Sequence, residues 1–134
     1  MRPGPVFLLC AALLLPSMAS SGDQWRVSRV WNPAVNKSLD LSPQSSVKSR
    51  AEIVPPGRLS LNLGCNDISA KGLRPDGTAL FEAPMQTKMG CPPDLAALET
   101  FVLGALKLIR SHERTGNEMI LRDGNGREVL ALVR

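Results

Sequence analysis

Leu59-Ser60-Leu61-Asn62-Leu63 alternates strictly between apolar and polar residues. That period of two predicts a strand with the three leucines on one face. Trp25 and Val27 hold the same spacing, and the pattern then slips by one to Val30 and Trp31. This predicts a first strand over Gln24 to Trp31 with a bulge, ended by Asn32-Pro33. Residues 34–57 are the least regular part. Ser, Pro, Lys and Gln dominate Lys37 to Arg50, and Pro55-Pro56-Gly57 closes the stretch. A short edge strand around Ala51, Ile53 and Val54 fits there. The rest reads as a long surface loop, a common seat of function.

Arg74-Pro75-Asp76-Gly77-Thr78 is a turn with a mechanism, since Pro sets φ and Gly supplies a positive φ. It is expected to join a strand ending near Leu73 to one through Ala79, Leu80, Phe81 and Glu82. Met85 to Met89 suggests a further short strand. Helical spacing follows, with Leu98, Phe101, Val102, Ala105, Leu108, Ile109 and His112 on one side. Thr100, Lys107, Arg110 and Arg114 mark the other side. The predicted helix runs from about Leu95 to Arg114, with Asp94 as N-cap and Gly116 as the C′ residue. Gly104 inside it would permit close backbone approach. Two final apolar runs, Glu118 to Arg122 and Glu128 to Val133, flank Asp123-Gly124-Asn125-Gly126 and predict a hairpin. One long amphipathic helix among short antiparallel strands implies an α+β domain. Its sheet is expected to be strongly curved, as in an incomplete β-barrel, and to end in the C-terminal hairpin.

The first segment changes the picture of where the chain works. Arg2, the apolar run Val6 to Leu15, Pro16, and then Ser17-Met18-Ala19 have the layout of a secretory signal peptide. The run is about half of the roughly 20 apolar residues that span a bilayer, so no membrane span is expected in the mature chain. Cleavage after Ala19 leaves a flexible start at residues 20–23 and one domain at residues 24–134. The expected address is exported, periplasmic or secreted. Losing Arg2 takes the formal charge from +4 to +3. That mild excess lies in no run. With two Trp, three Phe and no Tyr, the basic stripe with stacking aromatics typical of nucleic-acid binding is missing.

Of three cysteines, Cys10 lies in the signal, so Cys65 and Cys91 remain. In an exported chain such a pair reads first as a structural disulfide, with a buried thiol pair as the alternative. A redox centre is disfavoured by the lack of a C-x-x-C spacing. One His and two thiols leave a zinc site short of ligands, so no metal or cofactor is expected. His112 alone offers a general base, and no nucleophile-elbow motif accompanies it. The calcium-loop likeness of Asp123-Gly124-Asn125-Gly126 fails at Arg127.

The ordered set resembles the META domain family, which includes HslJ-like heat-shock proteins. The matching pieces are Gly57-Arg58-Leu59 leading to Gly64-Cys65-Asn66, then Thr87-Lys88-Met89-Gly90-Cys91. Glu99, Phe101 and Leu106 follow in the helix, and Leu121 to Gly126 in the hairpin, with Trp25 near the domain start. Asp67 and Ile68 depart from the basic and aromatic residues that members often carry after the first motif. The resemblance implies family-motif positions at Gly64, Cys65, Asn66, Thr87, Met89 and Cys91. It also implies a curved sheet packed with a helix, and a bacterial cell-envelope role linked to stress or motility without enzymatic activity. The expected partner is an envelope protein or an apolar ligand. Alternatives are a carrier with an apolar ligand in a barrel cavity, a secreted protease inhibitor using residues 34–57, and a small envelope hydrolase built on His112.

Overall fold

The computed structural model of the chain describes residues 23–33, 35–41 and 48–134. The signal segment, most of the flexible start and part of the 34–57 stretch therefore lie outside the described residues. Among the described residues nine strands occur in chain order: β1 Asp23–Asn32, β2 Lys37–Asp40, β3 Arg50–Val54, β4 Arg58–Asn62, β5 Asp67–Lys71, β6 Met85–Gln86, β7 Ile109–Thr115, β8 Glu118–Asp123 and β9 Glu128–Val133. The helix α1, Pro93–Leu106, stands between β6 and β7. All pairings are antiparallel, in the order β6-β5-β4-β3-β1-β9-β8-β7, with β2 added to β1.

The long first strand organises this curved, unclosed sheet. Asp23–Trp25 pairs with β3, while Arg29–Asn32 pairs with β2. Its other edge pairs with β9, where the register shifts between Val27 and Arg29 as the sequence slip predicts. Ser49 bridges the gap between β3 and β2. Its hydroxyl accepts from Val27 N at 3.0 Å and donates to Val27 O at 3.2 Å.

Alternation puts Val27, Leu59, Leu61, Ile68, Leu121, Leu130 and Leu132 in one buried cluster, joined by Val102, Ala105 and Leu106 of α1. These side chains occupy the space that a ligand-carrying barrel cavity would need. Trp25 is also buried, and the guanidinium carbons of Arg114 and Arg134 lie 5.1 and 4.8 Å from its ring centroid. Among the described residues no helix is long and apolar enough to cross a membrane.

Several local expectations are corrected. The helix stops at Leu106 and does not reach Arg114. Leu108, Ile109 and His112 fit helical spacing, but the stretch from Ile109 pairs along β8 from Ile109↔Asp123 to Thr115↔Glu118. That ladder overrides the local helical period. Arg110 supports the switch, since its Nη1 donates to the carbonyls of Lys107 and Ile109 at 2.9 and 2.8 Å. Gly116 therefore sits in the β7–β8 turn at φ +60°, and Pro92 takes the N-cap position. Asp94 lies in the first turn, where its charge still suits the positive helix end. The strand expected to end near Leu73 ends at Lys71, and Ala79–Glu82 is not a strand. Single bridges join Leu73 to Ala79 and Thr78 to Ser111. The turn between them thus reaches the β7 edge of the sheet. Residues 34–57 include β2 and β3, so that stretch is less irregular than its composition suggests.

Candidate functional site

Six family-motif positions come together beside the start of α1. Cys65 follows β4, Cys91 precedes the helix, and the two are joined by a disulfide with a Cα–Cα distance of 6.1 Å. Gly64 turns the chain out of β4 at φ +119°, a conformation that favours glycine. Its N–H donates to Asn62 Oδ1 at 2.8 Å.

Asn66 is the hub. Its Oδ1 accepts from Met89 N at 2.7 Å and from the Thr87 hydroxyl at 3.0 Å. The same hydroxyl accepts from Asp67 N at 3.0 Å. On the other side, Asn66 Nδ2 donates to Glu99 Oε1 at 2.9 Å and to Cys91 Sγ at 3.1 Å. Asn66 N donates to Glu99 Oε2 at 2.7 Å, and Gln86 Nε2 donates to Glu99 Oε1 at 2.7 Å. Glu99 is 1% exposed. A carboxyl group so buried needs hydrogen-bond partners, and these donors supply them. Met89 contributes its backbone, and its side chain is exposed.

Cys65, Cys91 and Glu99 place their ligand atoms within 4.8 Å of one another. The set does not fit a metal. Sulfur ligates as thiolate, and both sulfurs are bonded to each other. Both Glu99 oxygens are engaged, and three donors fall one short of a structural zinc site. The arrangement is a covalent and polar knot tying β4, the segment after β6 and α1 together.

His112 lies on β7, far in sequence from the knot, and its Nε2–H donates to Arg74 O at 2.8 Å. That bond ties down the turn spanning Arg74–Thr78. Asp123 closes the final hairpin. Its carboxylate accepts from Asn125 N and Arg127 N at 2.9 and 3.0 Å and pairs with Arg127 Nε at 3.2 Å. Burial pushes this carboxyl up, but those N–H groups and the Arg127 charge outweigh it and hold it below the usual carboxylate range.

Glu99 enters the sequence reading only as a matching helix residue of the family resemblance, not among the six motif positions, and Gln86 does not enter it as a site residue. A signal for Glu99 was present. It stands four residues after Leu95, three before Val102 and seven before Leu106, an acid on the buried side of the helix. Gln86, on a two-residue strand, offered none.

The META domain model matches residues 19–134. No curated protein sequence matches the chain. Two solved structures share the fold. A Burkholderia xenovorans protein determined by NMR aligns at TM-score 0.61 and 19% identity, covering 93% of this chain and 94% of that one. A duf4847 family protein from Bacteroides vulgatus aligns at TM-score 0.53 and 9% identity, covering 84% and 92%. With the motif residues assembled beside the start of α1 and the family model spanning residues 19–134, the chain belongs to the META domain family.

Proposed function

We propose that the chain is an exported, non-catalytic META domain that binds or stabilises another component of the cell envelope. The observation that carries this reading is the knot itself. Its polar groups are satisfied by one another, with Asn66, Glu99, Gln86, Thr87 and the disulfide forming a closed set. A catalytic centre keeps a nucleophile, base or ligand position open to substrate, whereas these residues hold the scaffold. The signal-like first segment and the family's envelope association support the address. Binding then falls to the outer surface, because the sheet's interior is filled by its own side chains.

In-cell crosslinking of the mature protein, followed by identification of captured protein and lipid, tests the proposal. Capture of a defined component in the envelope fraction is the expected result. A chain that stays in the cytoplasm with residues 1–19 attached, or that turns over a substrate, would overturn it.

A further inference from the structure

A cleft of about 510 Å³ lies on the outer surface where the β3–β4 turn meets the end of β5. Its size falls within the roughly 300–1,000 Å³ of small-molecule sites. Pro55, Pro56, Leu73 and Pro75 give it apolar walls. The floor is tightly built. Gly57 O accepts from Gly72 N and Leu73 N at 3.1 and 3.0 Å, and Gly72 O accepts from Leu80 N at 3.0 Å. A Cβ on Gly57 would strike the Leu73 carbonyl, and one on Gly72 would strike the Leu80 carbonyl. Both glycines are therefore required for this close crossing of chains.

Arg58 and Lys71 line the same cleft as cross-strand partners. Both are exposed, and neither makes an ion pair among the described residues. Like charges directly opposite one another destabilise a sheet. Folding alone would be better served by replacing either cation. Two cations held together beside an apolar wall match an anion with an apolar tail, and the Arg58 fork suits a carboxylate.

We propose that the Pro55–Pro56/Leu73 cleft binds the monomeric anion of a medium-chain fatty acid, its carboxylate between Arg58 and Lys71 and its alkyl chain along the prolines and Leu73. This rests on the binding role proposed above and names the ligand class. It moves the apolar ligand from the filled interior of the curved sheet to an external cleft with a charged rim.

The test is NMR titration of the isotope-labelled mature protein with sodium decanoate below its micelle-forming concentration. Saturable amide shifts centred on Gly57, Lys71, Gly72 and Leu73 are expected. Octanoate should bind more weakly, by up to about fourfold per methylene removed, and decanol more weakly than decanoate. The Arg58→Gln/Lys71→Gln variant should weaken decanoate binding about tenfold. The same variant should unfold at higher urea than wild type, so lost binding cannot be ascribed to lost folding. No saturable shifts, shifts confined to the buried core between sheet and helix, equal binding of decanol, unchanged binding by the double variant, or preference for a peptide C-terminal carboxylate would each overturn the proposal. Envelope capture that persists in the double variant would leave the broader binding role standing while this ligand assignment failed.

Discussion

Replacing Glu99 with Ala should be among the most damaging single changes to this fold. Three donors converge on its carboxylate: Asn66 N, Asn66 Nδ2 and Gln86 Nε2. Their losses differ. Gln86 is half-buried and can turn towards water, and Asn66 Nδ2 keeps Cys91 Sγ. Asn66 N is left buried with no acceptor, which alone costs about 1–3 kcal/mol. Breaking a buried charged network by removing one member costs about 3–5 kcal/mol, a large part of the roughly 5–15 kcal/mol of a typical domain. Urea unfolding followed by the fluorescence of Trp25 and Trp31 reads this directly. With a slope of about 1.5 kcal/mol per molar urea, the midpoint should fall by about 2–3 M. Glu99→Gln separates charge from hydrogen bonding. Its carbonyl can still accept from Asn66 N, but its amide faces two other donors, so a loss of about 2 kcal/mol is expected. If Glu99→Ala stays within about 0.5 kcal/mol of wild type, the knot does not hold the scaffold and the reasoning fails.

Non-reducing mass spectrometry of the mature chain should find one Cys65–Cys91 bridge and no free thiol, and the Cys65→Ser/Cys91→Ser variant should lose about 3.5 kcal/mol in the chain-entropy model for a sequence separation of 26. Asp123 contributes to acid sensitivity. Its folded-state carboxyl lies below the ordinary value, so its stabilisation is full above about pH 4 and is lost as pH falls through the lower folded value. Asp123→Asn should therefore be less stable than wild type at pH 7, with the gap narrowing below about pH 4 in parallel urea titrations. Gly72→Ala, at φ +148° and against the Leu80 carbonyl, should cost about 2 kcal/mol or more, measured by thermal unfolding.

The sequence carried the strands whose alternation is strong, and for a physical reason. Leu59, Leu61 and Leu63 are buried on one side while Ser60 and Asn62 are not, so burial itself writes the period. The bulge in β1 was legible because the slip moves Val30 back onto the buried side. Where backbone pairing rather than burial sets structure, the pattern was silent. Strand β2 is held by its ladder to β1 and buries none of its four residues, so Lys37-Ser38-Leu39-Asp40 gave no signal. The helix reads too long because Leu108, Ile109 and His112 fit helical spacing, and only pairing with β8 draws the stretch from Ile109 into the sheet. In the site, the cysteines and Asn66 were visible as motif residues. The role of Glu99 emerges when helix and loop meet across 33 residues. The Arg58–Lys71 pair becomes visible only once β4 and β5 are in register.

The central claim is that this domain works through its surface rather than through a reaction. In-cell crosslinking of wild type, His112→Ala and Arg58→Gln/Lys71→Gln, compared side by side, tests it most directly. His112→Ala should capture the same envelope component in undiminished yield, while the cleft variant should lose captured fatty acid. Loss of capture in a folded His112→Ala protein, or turnover of a substrate that this variant abolishes, would contradict it, whereas unchanged fatty-acid capture by the cleft variant would overturn only the ligand assignment.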